Sequence, residues 1–424
     1  MTHIVIGGGA SGLAAAIELA LAGRSVTVLE ASAALGGRAR SRHEEGFTVN
    51  LGPHALYAGA EQALARLGVR VAGGIPKDGL TMELGDRLAP LPSDALTLLG
   101  NGGLGWRDKW RLGAMLGRIP RLDPTALDGL SVAAWLDAQG FEGVARDVAH
   151  AVVRVSSYVS APERLSAGAA VRQIQGALGG VRYLDGGWQT IVDGLVARAE
   201  ALGVRTRVRA TVERIEVEGG RARAVHLTGG ERLACDALVL TLSPKASARL
   251  LGEHASPTLV GFAAEASAVR AACLDVALRR LPRRHPSLIL GTDAPIYVSI
   301  HSNVAALAPE GGGLIHAARY LAPGERVTDA TRAGLEARLD ASQPGWRAEV
   351  VDVRWSGAAT VAHAFPEAAR GGLAGRPSVA SAGPANVALA GDWVGPEGML
   401  LDACLASARQ AAARVASPPA RAAA

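Results

Sequence analysis

The sequence predicts an α/β fold in which a Rossmann-like nucleotide-binding domain is joined to a second domain of mixed α+β structure. Three observations point there. Residues 3–30, HIVIGGGASGLAAAIELALAGRSVTVLE, read in order as strand, glycine turn, helix and strand. The chain has 424 residues, more than one hydrophobic core ordinarily spans, so at least two domains are expected. Hydrophobic residues make up 49% of it and charged residues 20%, the balance of a globular protein with a sizeable core.

The first strand is the short apolar run HIVI. In the turn that follows, Gly7, Gly9 and Gly12 fit the spacing GxGxxG. The first glycine permits a tight turn, the second lets backbone approach a pyrophosphate, and the third lets the helix pack closely on the strand. ASGLAAAIELALAG carries apolar residues at helical spacing. Its first N–H groups face the same phosphates with the positive end of the helix dipole. SVTVLE alternates as a strand and ends on Glu30, whose carboxylate can accept both ribose hydroxyls and would repel a 2′-phosphate; NADP is disfavoured. In a chain with 53 glycines the GxGxxG spacing alone says little, but strand, turn, helix, strand and acidic terminus in that order say nucleotide. The next residues, ASAALGGRARS, extend the pattern through Gly36, Gly37 and Arg38.

On these residues the chain resembles the flavin-containing amine oxidase superfamily, which includes amine oxidases, protoporphyrinogen oxidases, phytoene desaturases and hydroxysqualene dehydroxylases. The resemblance implies FAD rather than NAD, held in a domain of the glutathione reductase type, and places Ala10, Ser11 and Ala31 beside it. Three further segments carry the resemblance. VNLGPHALY, 49–57, looks like the segment that passes the isoalloxazine ring, which implies contacts from Gly52, Pro53 and His54, with Tyr57 in the substrate cavity. The stretch from YLDGGWQT to LVLTLSP, 183–244, contains Val212, whose backbone would pass the adenine. NVALAGDWVGPEGMLLDACLASARQAA looks like the C-terminal flavin motif: Gly391 and Asp392 would hold the ribityl or pyrophosphate part, and a helix opening at Gly398, Met399 and Leu400 would aim its N–H groups at the flavin O2 edge.

The same resemblance implies an FAD domain assembled from residues 1–75, 183–245 and 385–415. The two insertions would form the substrate domain, a helical part at 76–182 and a sheet part at 246–384, with the tail 416–424 disordered. His54 is the candidate for a catalytic donor beside the flavin; as a local backbone-bonded histidine it would be structural. Trp188 and Trp393, next to motif positions, are candidates for the cavity wall, and core packing is their alternative role. Many amine oxidases of the superfamily use a lysine of the substrate domain near the flavin. This chain has Lys77, Lys109 and Lys245 alone, none in the central strands of the second insertion, which argues against amine oxidation.

Composition closes other routes. The net charge of +5 is scattered, without a basic run interleaved with aromatics, so nucleic acid is not expected as a partner. Cys235, Cys273 and Cys404 show no ligand or disulfide spacing, so no metal site is expected, and Cys404 falls in the helix after the GD pair, so a non-covalent FAD is. The first strand begins near His3 and no run of eighteen apolar residues occurs, which reads as a soluble cytoplasmic protein. LGWRDKWRLGAMLGRIPRL, 104–122, combines basic residues with Trp106 and Trp110 and could rest on a membrane surface or be an amphipathic helix of the substrate domain.

The GDWVGPEGML segment looks nearest to the phytoene desaturase and hydroxysqualene dehydroxylase branch. The expected activity is FAD-dependent dehydrogenation of an apolar, isoprenoid-like or natural-product small molecule, with hydride passing to flavin N5. An amine or amino-acid oxidase is one alternative and would need a charged anchor such as Arg154 or Arg319. A non-catalytic binding protein of the GDP-dissociation-inhibitor type is another; those proteins have a degraded glycine fingerprint, whereas Gly7, Gly9, Gly12, Glu30 and Asp392 are all present here.

Overall fold

The computed structural model describes residues 2–52, 54–85 and 87–416. Two large sheets organise them. The first has five strands in the order Val387–Leu389, Ala237–Leu240, Thr2–Ile6, Ser25–Leu29 and Arg205–Arg207. Every neighbouring pair is parallel. Ala237–Leu240 and Val387–Leu389 are buried at every position, as expected of parallel strands covered on both faces. One face is covered by the helices Ala10–Leu21, Gln189–Ala201 and Leu400–Ala416, whose Leu13, Ile17, Ile191, Leu195 and Leu405 interdigitate with Val5, Val28 and Val239. The other face packs Ile4, Leu238 and Leu240 against a three-stranded antiparallel sheet, Val212–Glu218, Arg221–Leu227 and Arg232–Ala234.

The second sheet has seven strands in the order Val350–Ala362, Val269–Leu278, Gly313–Leu321, Ile296–Ile300, Leu288–Gly291, Leu80–Leu84 and Arg87–Pro90. Its neighbours are antiparallel except Leu288–Gly291 against Leu80–Leu84. Because side chains alternate along a strand, Leu274, Val276, Ile315 and Ala317 face the helix Asp329–Ser342. Ala271, Cys273, Ala318 and Tyr320 face the other way, toward a helical layer formed by Trp106–Arg118, Val132–Ala138, Gly143–Ser157 and Ala167–Ala177.

The first insertion departs from its expected helical character at its start. GLTMEL alternates polar and apolar side chains and is followed by Gly85 at φ +57°. That is a period-two pattern with a hairpin turn, and the two strands so formed extend the sheet that the second insertion builds. Of the C-terminal tail, Ala416 ends the last helix; residues 417–424 lie outside the described residues, as does Pro53.

Candidate functional site

The opening glycines do what their spacing requires. Gly7 adopts φ +107°, and a Cβ there would lie 2.5 Å from Thr241 Oγ1. A Cβ on Gly12 would stand 1.9 Å from the carbonyl oxygen of Gly7, so helix and turn touch backbone to backbone. Gly9, at the N-cap of the Ala10–Leu21 helix with an ordinary φ of −75°, has nothing within 4 Å of the place its Cβ would occupy. The chain thus leaves room where an approaching phosphate would sit. Glu30 closes the turn: its Oε2 accepts from Gly8 N–H at 2.7 Å and its Oε1 from Ser32 N–H at 2.8 Å.

The second glycine pair comes to the first. Gly9 and Gly36 form a parallel bridge, and Gly36 N–H donates to Gly8 O at 2.8 Å. This hands the following residue, Arg38, to the C-terminal motif, where its Nη1 lies 2.7 Å from Asp392 Oδ2 and donates to Val361 O at 2.7 Å. Asp392 is 3% exposed. Burial alone would raise its pKa, but Arg38 and then His363 outweigh it and hold the carboxyl well below the usual range, so it is ionised. Its Oδ2 also accepts from His363 N–H at 3.2 Å. Its Oδ1 has no hydrogen-bond partner among the described residues. Arg376, buried, pins the segment that follows by donating to the carbonyls of Asp392, Glu397 and Gly398. The helix Leu400–Ala416 then begins at Leu400, which takes φ +54°.

These parts surround one cavity of about 550 Å³. Its walls include Gly7, Gly9, Ala10, Ser11 and Glu30 from the first motif, Gly36, Gly37 and Arg38 from the second, and Asp392 and Leu400 from the last. Gly52, His54 and Trp188 complete the expected wall. Thr241, Leu242, Ser243, Tyr158, Thr360, Val361, His363 and Cys404 line it as well. Of these, Thr241 to Ser243 sit at the end of a parallel strand within the LVLTLSP run, a readable signal. Thr360 and His363 follow from the course of the Val350–Ala362 strand, and no local pattern marks them.

Other expected positions lie elsewhere. Trp393 is fully buried beneath the parallel sheet, its ring 5.7 Å from that of Phe262 and its Nε1 donating to Leu242 O, so it is core and not cavity wall. Tyr57 is turned into the helical layer, where its hydroxyl donates to Ser156 O at 2.7 Å. Val212 pairs with Leu227 in the three-stranded sheet and does not border the cavity. Ala31 is exposed beside Glu30. Gly12, Gly391, Gly398 and Met399 act behind the wall: Gly391 N–H donates to Ser407 Oγ, and Met399 packs into the core of the helical layer.

His54 borders the cavity, but its nitrogens are engaged with backbone. Nδ1 is 2.7 Å from Gly52 O and Nε2 3.0 Å from Arg38 O, while the ring leans on Trp188 at 4.6 Å. Burial pushes its pKa down to about 4, so it is neutral at pH 7. As a neutral ring it carries one N–H and so donates to only one of these two carbonyls, the other nitrogen lying against a carbonyl without a hydrogen bond; it shapes the wall. The Cys404 thiol is pushed up to about 12 by burial and by Asp392 and stays protonated. No lysine borders the cavity; Lys245 is exposed in the helix Pro244–Leu251, and Lys109 Nζ donates to Leu99 O. Among the described residues no cluster of His, Cys, Asp and Glu could hold a metal ion.

Comparison with known proteins agrees with this geometry. The family model described as flavin containing amine oxidoreductase matches residues 10–416. The phytoene dehydrogenase of Streptomyces griseus is 30% identical over 285 residues, 59% of this chain and 55% of that protein. The hydroxyneurosporene desaturase of Rhodobacter capsulatus is 31% identical over 302 residues, 60% of this chain and 59% of that one. The chain thus spans a little over half the length of these curated relatives. An oxidoreductase from Methanosarcina mazei shares the fold, with a TM-score of 0.75 at 19% identity, over 97% of this chain and 99% of that one. A glycine turn, an acidic strand end, a second glycine pair and a C-terminal GD motif meet around one cavity, and the family model covers nearly the whole chain: it belongs to the flavin-containing amine oxidoreductase family.

Proposed function

We propose that this protein is an FAD-dependent oxidoreductase that dehydrogenates an apolar, isoprenoid-like small molecule, with FAD held non-covalently. The observation that carries the reading is the convergence of Gly9, Glu30, Gly36 and Asp392 on a single cavity. The residues fit the cofactor: Gly9 leaves space at a helix N-terminus, and the buried Asp392 Oδ1 has no hydrogen-bond partner among the described residues, with only the His363 ring Nδ1 near it at 3.4 Å. Ala10 and Ser11 N–H groups would face the pyrophosphate, and Glu30 has lone pairs left for ribose hydroxyls. The start of the Leu400–Ala416 helix presents its positive dipole end to the cavity beside Leu400 and Leu401. Bound there, FAD would supply a two-electron acceptor for hydride. Trp188, Tyr158 and Val361 give the site apolar walls that exclude water. The protonated Cys404 thiol favours dissociable cofactor over a thioether link.

In this reading the FAD domain is Rossmann-like and of the glutathione reductase type, built from 1–75, 183–245 and 385–415. The sequence origin of the five parallel strands supports that division. Residues 76–182 and 246–384 would then be the substrate domain. The names of the relatives, phytoene dehydrogenase and hydroxyneurosporene desaturase, favour an isoprenoid-like substrate, and the absence of lysine from the cavity wall disfavours an amine. A membrane contact fits the same substrate class. Among the described residues no helix is long and apolar enough to cross a bilayer, but Trp106 and Trp110 are 72% and 69% exposed beside Arg107 and Lys109.

Anaerobic spectroscopy tests the reading. The purified protein should show a flavin spectrum that bleaches with an isoprenoid substrate and not with primary or secondary amines. Bleaching by an amine alone would reverse the choice of substrate, and a colourless protein that takes up no FAD would remove the enzyme reading.

A further inference from the structure

The charge around the cavity does not match the cofactor that the cavity fits. The charged side chains bordering it, among the described residues, are Arg38, Glu30 and Asp392, one positive against two negative. A dinucleotide brings a doubly negative diphosphate into that surrounding. Helix N-termini at Ala10 and Leu400 supply partial positive charge, and the remaining side chain on the wall able to gain a full one beside Arg38 and Asp392 is His363.

His363 lies one residue beyond the Val350–Ala362 strand and belongs to none of the nucleotide-binding motifs, yet its ring stands between two of their charged groups. Its Nδ1 is 3.3 Å from Arg38 Nη2 and 3.4 Å from Asp392 Oδ1. The backbone holds it there, because His363 N–H donates to Asp392 Oδ2 at 3.2 Å. Arg38 is anchored through its other nitrogen, Nη1, on Asp392 Oδ2 and Val361 O, which leaves Nη2 to the histidine.

One ring nitrogen cannot serve both neighbours, since a guanidinium only donates and an ionised carboxylate only accepts. With Nδ1 bare, Arg38 Nη2 donates to it and the buried Asp392 Oδ1 stays unpaired. With Nδ1 protonated, its N–H goes to Asp392 Oδ1 and Arg38 Nη2 loses its acceptor. A neutral ring reaches either arrangement by changing tautomer, but only the doubly protonated ring adds charge. That charge is opposed by Arg38 and favoured by Asp392. Behind them stand Arg376, which donates to Asp392 O, the protonated Cys404 thiol and the neutral His54 ring, so no other anion offsets Arg38 here. An anion in the cavity would supply the missing compensation.

We propose that His363 takes up a proton when the diphosphate of the cofactor enters the cavity, giving Nδ1–H to Asp392 Oδ1 and releasing Arg38 Nη2 to the anion. The proposal rests on the FAD reading above and adds a regulation to it. The protonated ring favours the anion, so by linkage binding takes up protons and affinity falls as pH rises.

The test is a titration of FAD into the cofactor-stripped protein at about pH 5.5 and about pH 8.5, with calorimetry in two buffers of different ionisation enthalpy. The Kd is expected to be about three- to tenfold higher at the upper pH, and the heats should differ between buffers in the sense of proton uptake. His363→Asn should bind FAD with the same Kd at both pH values and lose the buffer dependence, with His363→Gln as the second variant if the first does not fold. A single Kd for the parent at both pH values, or variants as pH-dependent as the parent, would overturn this proposal and leave the FAD reading standing. A parent chain that takes up no FAD at either pH fails that reading and takes this proposal with it.

Discussion

Gly9 and Gly12 separate two meanings of one motif at the scale of single residues. A methyl group at position 12 would strike Gly7 O at 1.9 Å, so Gly12→Ala should cost about 3 kcal/mol or more through overpacking, read as a fall in Tm. A methyl at position 9 meets nothing in the protein. Gly9→Ala should therefore change stability by less than about 1 kcal/mol while weakening FAD at least about tenfold, a loss of 1.4 kcal/mol or more. Asp392→Asn is a third case. It leaves Arg38, which is 37% exposed and keeps its bond to Val361 O, without its counter-charge; solvent takes up part of that loss, so the variant should be destabilised by only about 1 kcal/mol, measured by chemical unfolding, and should bind FAD more weakly. The glycines, Glu30 and Asp392 were legible because backbone geometry and charge dictate their residue type. His54 and Trp393 were not: a histidine in a turn and a tryptophan beside a motif have several uses, and only packing chooses among them. Arg376 was invisible for the same reason, since its work is to tie three carbonyls that lie far on in the chain.

At the scale of elements, the Trp106–Arg118 helix illustrates what periodicity can and cannot say. Its apolar spacing correctly implied a buried stripe, which Leu112 and Met115 form. The pattern could not decide what its outward tryptophans meet. With Trp106 and Trp110 both exposed, the protein is expected to co-sediment with anionic phospholipid vesicles, more weakly in high salt, and a Trp106→Ala, Trp110→Ala double variant should lose most of that binding with its Tm unchanged. Equal recovery with and without vesicles would assign the helix to the substrate domain alone. The hairpin Leu80–Pro90 was missed because its period-two signal spans five residues inside an insertion dominated by helical spacing, and because its partner strand, Leu288–Gly291, lies some 200 residues away, a distance at which no local rule operates.

At the scale of the whole molecule, buried histidines set the acid response. Burial lowers His54 and His150 to about 4 and His301 well below its usual value. Unfolded, each takes a proton near pH 6.5. The unfolded chain therefore binds more protons between about pH 6.5 and 4, and stability must fall as pH falls through that window. Asp402 acts in the opposite sense, because burial raises it to about 6 and the folded form keeps a proton that the unfolded form sheds. Glu83, Asp128 and Asp147 are raised by burial in the same sense, but Glu216, Glu231, Glu336 and Asp392 are lowered by their arginine and histidine partners and act with the three histidines, so Tm should drop from pH 7 to pH 4.5; a flat profile would mean that these rings are hydrated. The α/β class was legible from the first thirty residues, whereas the seven-stranded sheet emerges from pairings between segments too far apart to signal locally. What unites both sheets is the claim that the cavity between the glycine turns and Asp392 holds FAD. The most direct measurement is a titration of FAD into the cofactor-stripped protein and its Gly9→Ala variant, followed by visible absorbance alongside the Tm of each. Tight uptake by the parent chain and weak uptake by an equally stable variant is the predicted result; equal uptake by both, or none by either, would contradict it.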